Sequence, residues 1–169
     1  MYQPETKSYP IYYTPYVQLV LGNDLMDTLE SHLEEIHTFL NSIPEELYEY
    51  AYQSGKWTLK DILMHLIDTE RIFSYRVLKI IRGEGEGLIS FDQDVFVANA
   101  GANSFQFSDL IEMYVQVRKS TIMLFRHLTV QQLKMTGSVN GNTISAGALG
   151  FIILGHEIHH QNVIKERYL

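Results

Sequence analysis

Cysteine is absent from the 169 residues, which removes a disulfide framework, a thiolate metal site and a cysteine nucleophile together. Any metal must therefore rest on nitrogen and oxygen ligands. Positive charge is scarce: 13 Lys and Arg stand against 20 Asp and Glu, a formal charge of −7, and no basic stripe could neutralise a phosphate backbone. Nucleic acid is not an expected partner. Long apolar runs are also missing. The most apolar stretch, Ala146 to Leu154, is far short of the ~20 residues a membrane span requires, and the N-terminal segment lacks the basic-then-apolar order of a signal peptide. A cytoplasmic protein without a membrane partner is expected. Proline is sparse and localised: of four, Pro4, Pro10 and Pro15 lie near the N-terminus among tyrosines, which predicts an extended arm over residues 1–20 laid on a core or a partner subunit.

Apolar residues make up 46% of the chain and charged residues 20%, the composition of a globular chain, and the length suits one domain with a full core, 1–169. From Asn23, a plausible N-cap, the apolar residues Leu25, Leu29, Leu33, Ile36 and Leu40 recur at three and four, the period of a helix with one buried face. A second helix is expected from Trp57 or Thr58 to Arg82, opened by Thr58 with Asp61 three residues later and ended by Gly83, Gly85 and Gly87. The connection 88–107 holds one short helix near Asp92 to Ala98. Ser108 is the expected cap of a third long helix reaching Leu128, and Ile144–Ser145 open a fourth that runs almost to Leu169. Strand signals are weak, although Asn140–Gly141 with Thr143–Ile144 could form a small turn. The expected fold is all-α, a four-helix bundle. The Gly-Glu-Gly-Glu-Gly run lacks the Lys and Ser/Thr of a phosphate loop and reads as a solvated turn.

His156 and His160 are four apart, so they project about 40° and about 6 Å from each other on one helix face. Ile153, Val163 and Ile164 share that face, which makes it the buried one. On the second helix His65 shares an inward stripe with Ile62 and Ile72, in a locally polar patch with Asp68 and Thr69 one turn further on. Histidines converging from facing helices are how bundles build metal sites, and three neutral imidazoles leave a position open for water or substrate. Asp68 is a candidate to orient an imidazole or to act as a fourth ligand, and His159 competes with His160 for the pairing with His156. Each histidine taken singly also suits a core imidazole bonded to a backbone carbonyl. His32, His37 and His127 have no matched partners on a common face and read as surface or packing residues. The run His156-Glu157-Ile158-His159-His160 satisfies the H-E-x-x-H pattern of zinc peptidases with Glu157 as base. Nine residues follow it, too few for the usual downstream third ligand, and Glu157 reads equally as a solvated helix residue. Trp57 reads as an anchor at a helix start.

The segments Gly55 to Arg76, with His65 at their centre, and Leu154 to Tyr168, with His156 and His160, resemble in order and spacing the DinB/YfiT-like superfamily of metalloenzymes, in its DinB-like branch. That resemblance implies a four-helix bundle, a divalent metal (typically zinc or nickel) on His65, His156 and His160, and a homodimer. Characterised relatives are metal-dependent transferases or isomerases that use small thiols such as bacillithiol or mycothiol, and others are described as hydrolases. A metal-dependent enzyme acting on a small-molecule substrate is therefore expected. It would be a hydrolase or, with an external low-molecular-weight thiol, an S-transferase. The other reading is a non-catalytic bundle, with a structural metal or none, that works by association through its Tyr-rich arm.

Overall fold

A computed structural model describes residues 1–169. Four long helices dominate it: α2 (Leu25–Asn41), α3 (Leu59–Ile81), α5 (Phe107–Phe125) and α7 (Ala146–Arg167). Three short ones, α1 (Thr14–Gln18), α4 (Gln93–Ala100) and α6 (Val130–Leu133), lie between or before them. A two-stranded antiparallel hairpin, β1 (Thr136–Val139) and β2 (Asn142–Ser145), pairs Thr136 with Ser145 and Val139 with Asn142. The all-α expectation is corrected to that extent. Asn140 and Gly141 both take positive φ, 47° and 79°, as a two-residue hairpin turn demands.

Helix starts follow local chemistry. Thr58 and Asp61 form the reciprocal capping box of α3, and Ser145 caps α7 by accepting from the Ala148 amide at 3.1 Å. The α2 cap is Asp24 rather than Asn23, its carboxylate accepting from the Met26 amide at 2.9 Å. Ser108 does not cap α5. The helix begins at Phe107, a buried residue that starts the core-facing stripe, behind a Gln106 that makes no side-chain cap. The N-terminal arm is not extended: it coils into 3₁₀ turns at Thr6–Ser8 and Ile11–Tyr13 and then α1. Pro10 precedes a turn and Pro15 occupies the first turn of α1, positions where proline starts helical structure instead of breaking it.

Helix α3 packs against α5 and α7, and α2 packs against the same two, so α2 and α3 face each other across the diagonal of the bundle. The Gly-Glu-Gly-Glu-Gly loop is partly docked instead of fully solvated. Gly85 is buried against Gly137, Leu88 bridges to Val139, and Glu84 pairs with Lys79 at the surface.

The apolar interior is divided. One cluster joins Leu25–Leu33, Phe73–Ile81, Ile122 and Phe125 to the Ala146–Leu154 half of α7. The other joins Ile36–Ile43, Leu59–Ile67, Leu110–Tyr114, Ile164 and Tyr168. Between them, at the level where every long helix passes from one cluster to the other, lie the buried polar groups His65, Thr69, Glu70, Arg118, His156 and Glu157.

Candidate metal centre

Helix α3 contributes His65 to this layer, and α7 contributes His156 and His160 one turn apart. The first twelve residues of α7, Ala146–Glu157, are all buried. The helix is therefore apolar all round until His156, and it presents both imidazoles toward α3 from inside the bundle. His156 Nε2 stands 3.1 Å from His65 Nε2 and 3.1 Å from His160 Nε2, and one ligand nitrogen from each ring falls within 4.8 Å of the others.

This donor set fits a shared cation better than a hydrogen-bonded chain. A neutral ring nitrogen is either a donor or an acceptor, so the central Nε2 of His156 cannot serve both neighbours well. Nitrogens bound about 2.0–2.1 Å from one tetrahedral ion would stand roughly 3.3 Å apart, close to the spacing here. Burial pushes His65 down to about 4; burial and the neighbouring imidazoles push His160 to about 3 and His156 well below its usual range. The three rings are thus neutral near pH 7, with lone pairs available to a metal. Behind them, Thr69 Oγ1 lies 3.4 Å from His65 Nδ1, whereas His160 Nδ1 is buried with no partner in the protein.

Of the neighbours singled out above, Asp68 turns away and pairs with Arg71 at 3.4 Å; Thr69, the next residue, takes the place beside His65. His159 packs on Tyr16, with ring centroids 5.3 Å apart, and stays outside the cluster. The Trp57 ring lies 4.8 Å from that of His65, and its carbonyl accepts from the Tyr168 hydroxyl at 2.7 Å, so it does anchor a helix start, directly beside the site. His37 and His127 are exposed, as expected.

Glu157 is not solvated. It is fully buried, accepting from the Tyr114 hydroxyl and from Arg118 Nη1, each at 2.6 Å. Arg118, itself fully buried, makes a two-pronged pair with Glu70 at 2.8 and 2.9 Å. His32 is half-buried, with Nδ1 3.4 Å from Glu157 Oε1, so it is a member of this network and not a free surface residue. Held by these groups, Glu157 cannot turn to serve a metal-bound substrate as the base of an H-E-x-x-H peptidase would. One sequence signal for its burial was available: it is the first charged residue after eleven uncharged ones in α7.

Two cavities reach the histidine cluster from different sides. One, of about 300 Å³, is bounded by His65, His156 and Thr69 and walled by Tyr12, Tyr13, Tyr16, Phe73, Phe91 and Gln93. The other, of about 590 Å³, touches His159 and His160 and is bordered by Lys56, Trp57, Asp94 and Tyr168 among others. The consecutive residues Gln93 and Asp94, at the start of α4, thus face different cavities. No helix is long and apolar enough to cross a membrane.

The sequence profile of the DinB superfamily matches residues 28–164. A protein of Oceanobacillus iheyensis, named as a candidate metal-dependent hydrolase, is 22% identical over 145 residues, covering 85% of this chain and 83% of its own length. Among solved structures, YfiT from Bacillus subtilis, described as a probable metal-dependent hydrolase with an unusual four-helix bundle topology, superposes with a TM-score of 0.69 at 18% identity. That likeness spans 98% of this chain and 90% of YfiT and establishes the fold. With the profile matching most of its length, histidine-bearing helices included, the chain belongs to the DinB superfamily.

Proposed function

We propose that this chain is a metal-dependent hydrolase of small molecules, with a divalent ion, zinc or nickel, held by His65, His156 and His160. The observation that carries the reading is the convergence of three neutral imidazole nitrogens from α3 and α7 at the edge of a walled cavity. The names of the two relatives point the same way. When bound, such an ion supplies Lewis-acid polarisation of a carbonyl and activation of water as a nucleophile near neutral pH.

The chain's own residues would do the remaining work. Thr69 fixes the ring of His65, and packing against Trp57 and Tyr16 fixes His65 and His156. The aromatic wall of Tyr12, Tyr13, Tyr16, Phe73 and Phe91 holds the body of a substrate and limits the water around it. A second reading, an S-transferase using an external small thiol, draws support from the cavity beside His160, because two cavities meeting at one cluster suit two co-substrates. With no cysteine in the chain, that thiol must come from outside.

Elemental analysis of protein purified without a histidine tag tests the shared premise. Near-stoichiometric metal is expected in the wild type and loss of it in His65→Ala, His156→Ala and His160→Ala, with helicity retained. Zinc- or nickel-loaded protein should then turn over simple esters or amides without added thiol; turnover only with thiol would favour the transferase. Wild-type protein that neither contains nor takes up metal would return the histidines to a packing role.

A further inference from the structure

Buried charges in this bundle come with counter-charges, save one. Lys60 meets Glu49 at 2.7 Å, and Arg118 joins Glu70 and Glu157. Arg76, 3% exposed, has no carboxylate within salt-bridge range. Its Nη2 donates to the Ile89 carbonyl at 2.9 Å, and its Nε, buried, has no acceptor in the protein. A guanidinium cannot shed its proton to escape this situation, and a buried unpaired charge is among the most costly features a fold can carry.

Its location gives that cost a use. His65, Thr69, Phe73 and Arg76 follow one another at intervals of four, four and three along a single stripe of α3. The first three line the aromatic cavity. Long side chains on a helix lean toward its N-terminus, and the Arg76 guanidinium accordingly lies over the Phe73 ring, 5.3 Å from its centroid. Tyr13, another wall residue, stands close enough for Arg76 to favour its ionised form, against the burial that holds its hydroxyl up at about 12. No carboxylate is among the residues that line this cavity. Its two ends therefore differ: two of the three metal-ligand candidates, His65 and His156, line one, and an unneutralised cation lies just behind the lining residues Phe73 and Tyr13 at the other.

We propose that Arg76 is the anion-recognition residue of this cavity, and that its ligands are small organic carboxylates. The apolar body lies among Tyr13, Phe73 and Phe91, and the carboxylate, received by Arg76 with the Tyr13 hydroxyl, supplies the missing counter-charge. One cation with no second beside it suits a monoanion better than a phosphate dianion. The proposal rests on the hydrolase reading only in taking this cavity as the reaction chamber.

The test compares 3-phenylpropionate with 3-phenylpropionamide, which match in shape and differ in charge, by calorimetry on the full chain after chelation and again after zinc loading. The carboxylate should bind about tenfold more tightly than the amide in both states. Arg76→Gln should bring that ratio to about one, the loss falling mainly on the carboxylate, and Arg76→Lys should retain part of it. Equal affinities in the wild type would overturn the proposal. So would a preference seen only with zinc, which would put the carboxylate on the metal, or one that survives Arg76→Gln. Should Arg76→Gln fail to fold, the chelated wild type and Arg76→Lys still decide. Preference intact in a protein that takes up no metal would sink the hydrolase reading and leave the Arg76 assignment standing.

Discussion

Each candidate ligand is held uncharged by its surroundings, and this gives the metal-free protein a definite acid response. His65 sits at about 4 and His160 at about 3, against 6.5 for an unfolded histidine, and His156 is lowered as well. Between those limits the unfolded chain binds protons that the folded chain refuses, so stability falls as pH drops below 6.5 and is fully present above it. His32 has the opposite sign. Its pKa is raised, first by its bond to Glu157 and then by the charges of Glu157 and Glu35, so its contribution is complete below 6.5 and is lost as pH climbs through the raised value. Urea midpoints of chelated protein between pH 4.5 and 8.5 should fall on the acid side, and His32→Gln should flatten only the alkaline limb. Zinc should protect the acid limb until protons displace it. The three ligand candidates were legible in the sequence because two share a helix face and the third lies on an apolar stripe. Thr69, not Asp68, stands beside His65 because the carboxylate lies rotated toward Arg71, and one-dimensional spacing does not resolve that 100° step.

Among the elements, α1 is the one whose placement depends most on a single atom. At Gly155, one residue before His156, a Cβ would lie 2.0 Å from the Tyr16 carbonyl oxygen. The missing side chain is what lets α1 seat on α7 and bring the Tyr16 ring to 5.3 Å from that of His156. Gly155→Ala should unseat α1, at a cost of about 1–3 kcal/mol. Amide exchange should accelerate in residues 11–20 while α2, α3 and α5 keep their protection; unchanged exchange there would show that the seat is not needed. Stripes of period 3.6 and strong caps made α2 and α3 readable to within a residue or two, and α7, apolar all round in its first half, was readable from its Ser145 cap. The arm was misread because proline was weighed as a breaker, whereas Pro15 occupies a helical first turn, where its missing N–H costs nothing. Of the hairpin only its turn at Asn140–Gly141 was legible. Four-residue strands carry little alternation, and its strongest partner, the 85–88 loop, is distant in sequence.

At the scale of the molecule, the polar layer across the middle is costly in itself and is held by one cation. Two carboxylates share Arg118, the Tyr114 hydroxyl donates to Glu157 Oε2, and Glu157 Oε1, with no hydrogen-bond partner in the protein, has His32 Nδ1 3.4 Å away. Arg118→Met would leave Glu70 and Glu157 buried without their cation, a loss of about 3–5 kcal/mol in chemical denaturation. It should also loosen metal retention, since Glu157 adjoins His156 in α7. A loss under 1 kcal/mol would mean that water already satisfies the layer. The family profile covers all four long helices almost entirely, yet the diagonal placement of α2 and α3 could not be read from hydrophobic periods, which say which face is buried and not against what. The layer also divides the interior into two apolar clusters with no buried core residue in common, Val115 alone packing against both. Energetic effects in the two should therefore be separable. Leu29→Ala above the layer and Leu63→Ala below it should sum in the double variant to within about 0.5 kcal/mol, whereas either paired with Arg118→Met should not. Each compartment can then be repacked without negotiating with the other, provided the charges between them stay in place.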